Sequence, residues 1–301
     1  MNTEGLENCI LCPRNCKTNR ITGHKGFCGE SAKVRVARAA LHYWEEPVIC
    51  GEKGSGAVFF TGCNLKCIFC QNAAIAGNET GKEVSIERLA EIFADLEQQG
   101  AVNINLVTAS HYVPQVADAI RIARAQGLSV PVVYNTSSYE KPETLALLDG
   151  LVDIYLPDFK YMDAQMAADY SKAADYPQVA KAAIAEMYRQ VGEPVFDEDT
   201  DLLQKGVIVR HLVMPGSTKN AMAVLDYLYD AYGDKIYISI MNQYTPIQKF
   251  VKYPQLNRKV TVREYEKVVS HALDKGIVNA FIQDGDTAGE SFIPCFDLEG
   301  V

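Results

Sequence analysis

The chain has 301 residues, 48% hydrophobic and 22% charged, which is ordinary globular usage and excludes a largely disordered protein. Its net charge is -9, from 29 Lys and Arg against 38 Asp and Glu, with no basic run. That balance argues against nucleic acid or an anionic membrane as the main partner. No apolar run approaches the ~20 residues needed to span a bilayer. MNTEGLENCI has neither a basic n-region nor an apolar h-region, so a signal peptide is not expected and the cytoplasm is the expected location.

Residues 1–50 are read as a cysteine-rich N-terminal segment and 51–301 as a partial barrel. Within the first, 1–33 are polar and lack periodicity. VRVARAALHYWEEPVIC (34–50) alternates as a strand or hairpin would. From residue 57 strands and helices alternate. The strands expected are 57–60, 104–108, 131–136, 153–158, 207–213, 235–241 and 278–284. A helix is expected after Ser85, which has the chemistry of an N-cap, and it closes at Gly100. Further helices end at Gly127, Gly192, Gly233 and Gly276, the second of them spanning 181–192. Apolar strands separated by amphipathic helices predict βαβ units and a parallel sheet, in a full or partial barrel or a doubly wound sheet. No G-x-G-x-x-G follows the first strand, which disfavours a dinucleotide fold, and no P-loop motif is present. The stretch 242–260 is irregular and follows a strand, where barrel sites form.

Nine cysteines carry the chemistry, at 9, 12, 16, 28, 50, 63, 67, 70 and 295. An odd number in tight clusters fits ligation better than disulfide pairing in a reducing compartment. Cys50 and Cys295 stand alone and are expected to be buried as small hydrophobes. Cys63, Cys67 and Cys70 form C-x3-C-x2-C directly after the first barrel strand. Three such thiolates can hold three irons of a 4Fe-4S cube and leave the fourth open, whereas structural zinc wants four closed ligands. Cys9, Cys12, Cys16 and Cys28 form C-x2-C-x3-C-x11-C. This is a four-ligand set for a second metal centre, zinc or iron–sulfur, with His24 able to replace one thiol.

VFFTGCNLKCIFCQN resembles the C-x3-C-x-Φ-C motif of the radical S-adenosylmethionine (SAM) superfamily, with Phe69 at the aromatic position. Over residues 51–283, including DFKYMD and VIVRHLVMPG, the chain resembles pyruvate formate-lyase activating enzymes and their uncharacterised relatives. The resemblance implies an α/β fold, a partial (β/α)6 barrel, with the cluster and SAM at the carboxyl ends of the strands. It implies an oxidoreductase that reductively cleaves SAM and uses a 5′-deoxyadenosyl radical to abstract hydrogen. The substrate would be a protein, such as a glycyl-radical enzyme, or a small molecule, and the electron donor a flavodoxin or ferredoxin. A non-catalytic electron-transfer or metal-binding module is the alternative from another class.

The family's G-G-E-P turn after the second strand is absent here, where INLVTASHYVP stands. Thr108 or Ser110 is then expected to take the SAM amine, with His111 as a further contact. Asn135 and Ser137 end the third strand, and Asp158 and Lys160 match a D-x-K element at the fourth; these are expected on the SAM ribose and carboxylate. Arg210, His211 and Met214 on the fifth strand, and Gln283 and Asp284 on the last, are weaker expected contacts.

Overall fold

A computed structural model describes residues 5–283 and 294–301; Asp284 lies outside them. In chain order the elements begin with β1 (Val34–His42), α1 (Pro47–Cys50), β2 (Ser55–Phe60), α2 (Ala73–Ala76), β3 (Lys82–Val84) and α3 (Ile86–Gln98). There follow β4 (Ile104–Val107), α4 (Val113–Ala125), β5 (Val132–Thr136), α5 (Pro142–Leu145), β6 (Ile154–Pro157) and α6 (Ala164–Ser171). The chain continues through α7 (Tyr176–Val191), β7 (Val195–Phe196), β8 (Leu203–Leu212), α8 (Thr218–Tyr232), β9 (Tyr237–Met241), α9 (Val262–Lys275) and β10 (Ala280–Ile282). No helix among the described residues is long and apolar enough to cross a membrane.

The sheet runs β10-β9-β8-β6-β5-β4-β2-β1-β3, and β7 pairs with β8. Pairing from β2 through β10 along this path is parallel, while β1 is antiparallel to β2 and β3. The path does not close among the described residues, which makes the architecture a partial barrel. The 34–50 stretch joins that sheet directly through β1.

Strand alternation sorts side chains to two faces. Val132, Tyr134, Tyr155, Val207 and Val209 pack outward into the main core with the helices. Val133, Ile154, Leu156 and Ile208 face the other way and pack with Ile49 of α1 and with Leu203. Alpha1 therefore plugs the barrel at the amino ends of its strands. Higher on the same inward rows the residues turn polar, as Asn135, Asp158, Arg210 and Ser239.

The helix expected after Ser85 forms, with the Ser85 side chain accepting from Arg88 N as N-cap. Alpha7 starts at Tyr176, five residues before its expected start at 181, with Pro177 in its first turn. Alpha6 was not expected; Asp163 caps it by accepting from Gln165 N and Met166 N.

Candidate active site

A cavity of about 600 Å³ opens at the carboxyl ends of the parallel strands, within the range of small-molecule sites. Cys63, Cys67 and Cys70 line it together with Thr108, Asn135, Ser137, Asp158, Lys160, Arg210 and Gln283. Glu45 and Glu46 enter from the segment between β1 and α1.

The cysteine loop is held from behind. Gly62 takes φ +82°, and Ile68 N donates to Tyr170 O at 2.9 Å. Phe69 is buried between Tyr170 and Tyr244. Ser171 Oγ reaches Cys67 Sγ at 3.0 Å and is itself bonded to Tyr161 Oη at 2.7 Å. Both Tyr170 and Ser171 belong to α6, so that helix positions the loop. Burial pushes the Cys70 thiol up to about 12, with Cys67 and Cys63 adding to the effect. Burial raises Cys67 as well, while Lys160 opposes it. The three sulfurs thus share one electrostatic neighbourhood.

Lys160 Nζ sits 2.5 Å from Asp158 Oδ2, and Arg210 Nε 3.1 Å from Asp158 Oδ1. Arg210 also reaches Glu45 at 3.0 Å and Asn135 Oδ1 at 2.6 Å. Burial favours neutral Asp158, but Lys160 and Arg210 outweigh it and hold the carboxyl below its ordinary range. Burial likewise disfavours charged Lys160, and Asp158 and Cys67 outweigh that, raising it. Ser137 Oγ is buried without a hydrogen-bond partner.

Thr108 adopts φ +63°, rare for a β-branched residue, and its N–H donates to Asn135 O at 2.9 Å. Ser110 does not reach the cavity. Its hydroxyl donates to Glu140 at 2.6 Å, in a buried knot shared with Thr136 and Tyr134. His111 is not at the cavity either: it is buried, with Nε2 2.7 Å from Thr61 O. His211 points away because it alternates with Arg210 along β8, and its Nδ1 lies 2.7 Å from Phe159 O. Met214 is buried in the outer core. Gln283 lines the cavity and accepts from Asn242 N at 2.8 Å. Sequence reasoning missed Glu45 and Glu46; the only signal was a paired carboxylate just before Pro47 in the leader.

None of the nine cysteines is in a disulfide. Cys50 is buried as expected, but Cys295 is exposed, in the tail segment whose carbonyl accepts from Arg38. In the leader, burial pushes Cys12 up to about 12, and Cys28, Cys9 and Cys16 each add to the rise. Cys16 Sγ accepts from Phe27 N at 3.2 Å. Arg14 clasps the leader to the body, donating to Asn64 O at 2.8 Å and Ser171 O at 3.0 Å. Among the described residues, no three Cys, His, Asp or Glu side chains are gathered as a ready metal site.

A sequence model of the radical SAM superfamily matches residues 57–228, more than half of the chain. The chain belongs to the radical SAM superfamily. The match ends before β9 and begins after α1, so the Glu45–Glu46 segment lies outside it. Membership implies a 4Fe-4S cluster and SAM. An uncharacterized protein of Methanocaldococcus jannaschii is 29% identical over 274 residues, covering 89% of this chain and 75% of its own length. Streptococcus suis SuiB, solved with S-adenosylmethionine bound, superposes with a TM-score of 0.51 at 15% identity. The match covers 74% of this chain and 48% of SuiB, and shows a shared fold. A domain of pyruvate-formate lyase-activating enzyme from Bacteroides vulgatus gives a TM-score of 0.40 at 13% identity, over 57% of this chain and 92% of that domain.

Proposed function

We propose that this radical SAM protein holds a 4Fe-4S cluster through Cys63, Cys67 and Cys70 and abstracts hydrogen from a substrate in the cavity below. The observation that carries this is the placement of all three thiols on the wall that also presents Ser137, Asp158 and Lys160. The donor set fits. Buried thiols that disfavour one another's charge gain a partner in a cationic centre, and drawing the sulfurs in completes it. What cluster and SAM supply, when bound, is one electron and a 5′-deoxyadenosyl radical that takes a hydrogen atom from the substrate.

The chain's own residues orient and shield. Lys160 offers a cation for the SAM carboxylate, Ser137 an unspent hydroxyl, and Thr108 or a backbone carbonyl a seat for the amine. Alpha1 and the apolar rows above it exclude water from beneath. Glycyl-radical activation is one version of this reading, with a flavodoxin or ferredoxin as donor. A small polar substrate is the other, and the charged floor supplied by Glu45, Glu46 and Arg210 favours it.

Cys9, Cys12, Cys16 and Cys28 are proposed to hold a separate centre, zinc or iron–sulfur. Their mutual electrostatic influence supports this, as does a leader whose own apolar cluster, among the described residues, is Leu6, Cys9 and Leu11 with Ala32 against it.

The decisive experiment is anaerobic reconstitution followed by dithionite and SAM. Wild-type protein should form 5′-deoxyadenosine, and a folded variant with Cys63, Cys67 and Cys70 all changed to Ala should form none. Product from that variant would overturn the assignment.

A further inference from the structure

The charged groups of the cavity do not balance. Its described lining holds three carboxylates, Glu45, Glu46 and Asp158, against two permanent cations, Lys160 and Arg210. Both cations are engaged elsewhere. Lys160 is on Asp158, and Arg210 divides its fork between Asp158, Glu45 and Asn135. His42, the imidazole in the lining, is held toward its neutral form by burial and then by Arg38. Glu46 is left: it is 9% exposed, and its Oε2 is buried with no hydrogen-bond partner. An unpaired carboxylate in such a place costs several kcal/mol unless something answers it.

We propose that Glu46 receives a cationic group of the substrate, a protonated primary amine or a guanidinium, at the floor of the cavity. This rests on the radical SAM reading above. Depth separates the role from that of SAM. Ser239, which lines the cavity beside the Glu46 carboxyl, stands two residues below the end of β9. The cysteine loop, Ser137 and Lys160 all lie beyond their strand ends, at the rim. A cofactor anchored at the rim leaves the floor to the molecule that reacts with it. Burial pushes Glu46 toward the neutral acid; Arg210 opposes this and Glu45 reinforces it. A cationic guest reverses the balance, so its arrival draws the carboxylate form. Glu45 is tied down on that floor, accepting from Arg210 at 3.0 Å and from Asn105 and Asn135 at 3.2 Å each, while Glu46 Oε2 has no partner.

The test uses reconstituted holoenzyme with saturating SAM and two probes, n-butylammonium and n-propylguanidinium, with 1-butanol as the uncharged control. Thermal shift and calorimetry read binding. Either cation should stabilise the wild-type protein where butanol does not. Glu46→Gln, nearly isosteric, should weaken that binding roughly tenfold or more and leave SAM affinity within about twofold. Three results would overturn the proposal: butanol matching both cations on wild-type protein, equal cation binding by Glu46→Gln, or a loss of SAM affinity in that variant. The first needs no variant and stands even if the substitution unfolds the chain. Failure of wild-type protein to take up iron or cleave SAM would instead strike the radical SAM reading itself.

Discussion

The backbone N–H of Cys63 donates to the carbonyl of Cys28 at 3.3 Å. One residue from each cysteine cluster therefore lies in direct main-chain contact with the other. Gly62 makes the approach possible. A Cβ there would stand 2.9 Å from Cys28 O and 2.6 Å from Glu30 Cγ, at a φ of +82° that side chains rarely adopt.

Gly62→Ala should therefore cost about 1–3 kcal/mol and separate the two cysteine loops. Chemical denaturation and iron content of the reconstituted protein check this. Wild-type stability with full iron loading would show that the contact is dispensable.

The leader should keep its metal without the barrel cysteines. Elemental analysis of the protein with Cys63, Cys67 and Cys70 changed to Ala is expected to find one zinc or an iron–sulfur complement. The same measurement on a Cys9/Cys12/Cys16/Cys28 serine variant should find that centre gone. A metal-free but folded barrel-cysteine variant would refute a separate leader site.

Lys160 and Asn135 should differ in what their loss does. Lys160→Ala leaves Asp158 still paired with Arg210, so the fold should hold while SAM loses a charge-assisted contact, about 1.5–3 kcal/mol or roughly 10- to 150-fold in affinity. Asn135→Ala strands Arg210 Nη2 and deprives Glu45 Oε1 of a donor, so it should also lower stability by about 1–3 kcal/mol. Equilibrium binding of SAM and denaturant melts separate the two. Unchanged SAM affinity in Lys160→Ala would assign this rim to the substrate.

His211 should make the protein acid-sensitive. Its Nδ1–H donates to Phe159 O, and its buried Nε2 has no partner to accept a proton's hydrogen bond. Burial pushes its pKa down to about 4. The unfolded chain takes up a proton near the ordinary value of about 6.5, the folded chain only near 4. Stability contributed by the neutral ring is thus complete above about 6.5 and is lost as pH falls toward 4, with a slope up to about 1.4 kcal/mol per pH unit. His211→Gln should remove one proton's worth of that slope in pH-dependent denaturation. An unaltered slope would mean that the ring titrates normally.

The parallel strands were legible because their apolar runs are short and bounded, and the helix start at Ser85 because its cap is a chemical signal. The cysteine spacings were equally plain. Depth was not. Adjacent residues on β8 go to opposite faces, and nothing in RHL says that Arg210 enters the cavity while His211 leaves it. Ser110 was misplaced for a similar reason: the turn after β4 buries it against Glu140, thirty positions away. Glu45 and Glu46 escaped notice because antiparallel pairing of β1 with β2 delivers them into a cavity built by later strands.

Pro157 has a consequence for how the barrel wall holds together. Asp158 N bonds to β5 and Phe159 N to β8, so alternation aims the nitrogen of residue 157 at β8, where a proline has nothing to donate. The β6–β8 ladder pairs Ile154 with Gly206 and Tyr155 with Val207, lapses, and resumes at the bridge between Asp158 and Arg210. Just past that gap the Asp158–Arg210 ion pair rivets the two strands beside the main-chain bond from Phe159 N to Arg210 O. A ligand that draws Lys160 away from Asp158 leaves the rivet in place, since Arg210 still spans the seam. A ligand that draws Arg210 away takes the rivet with it and leaves the seam at the cavity mouth to the single main-chain bond from Phe159 N to Arg210 O.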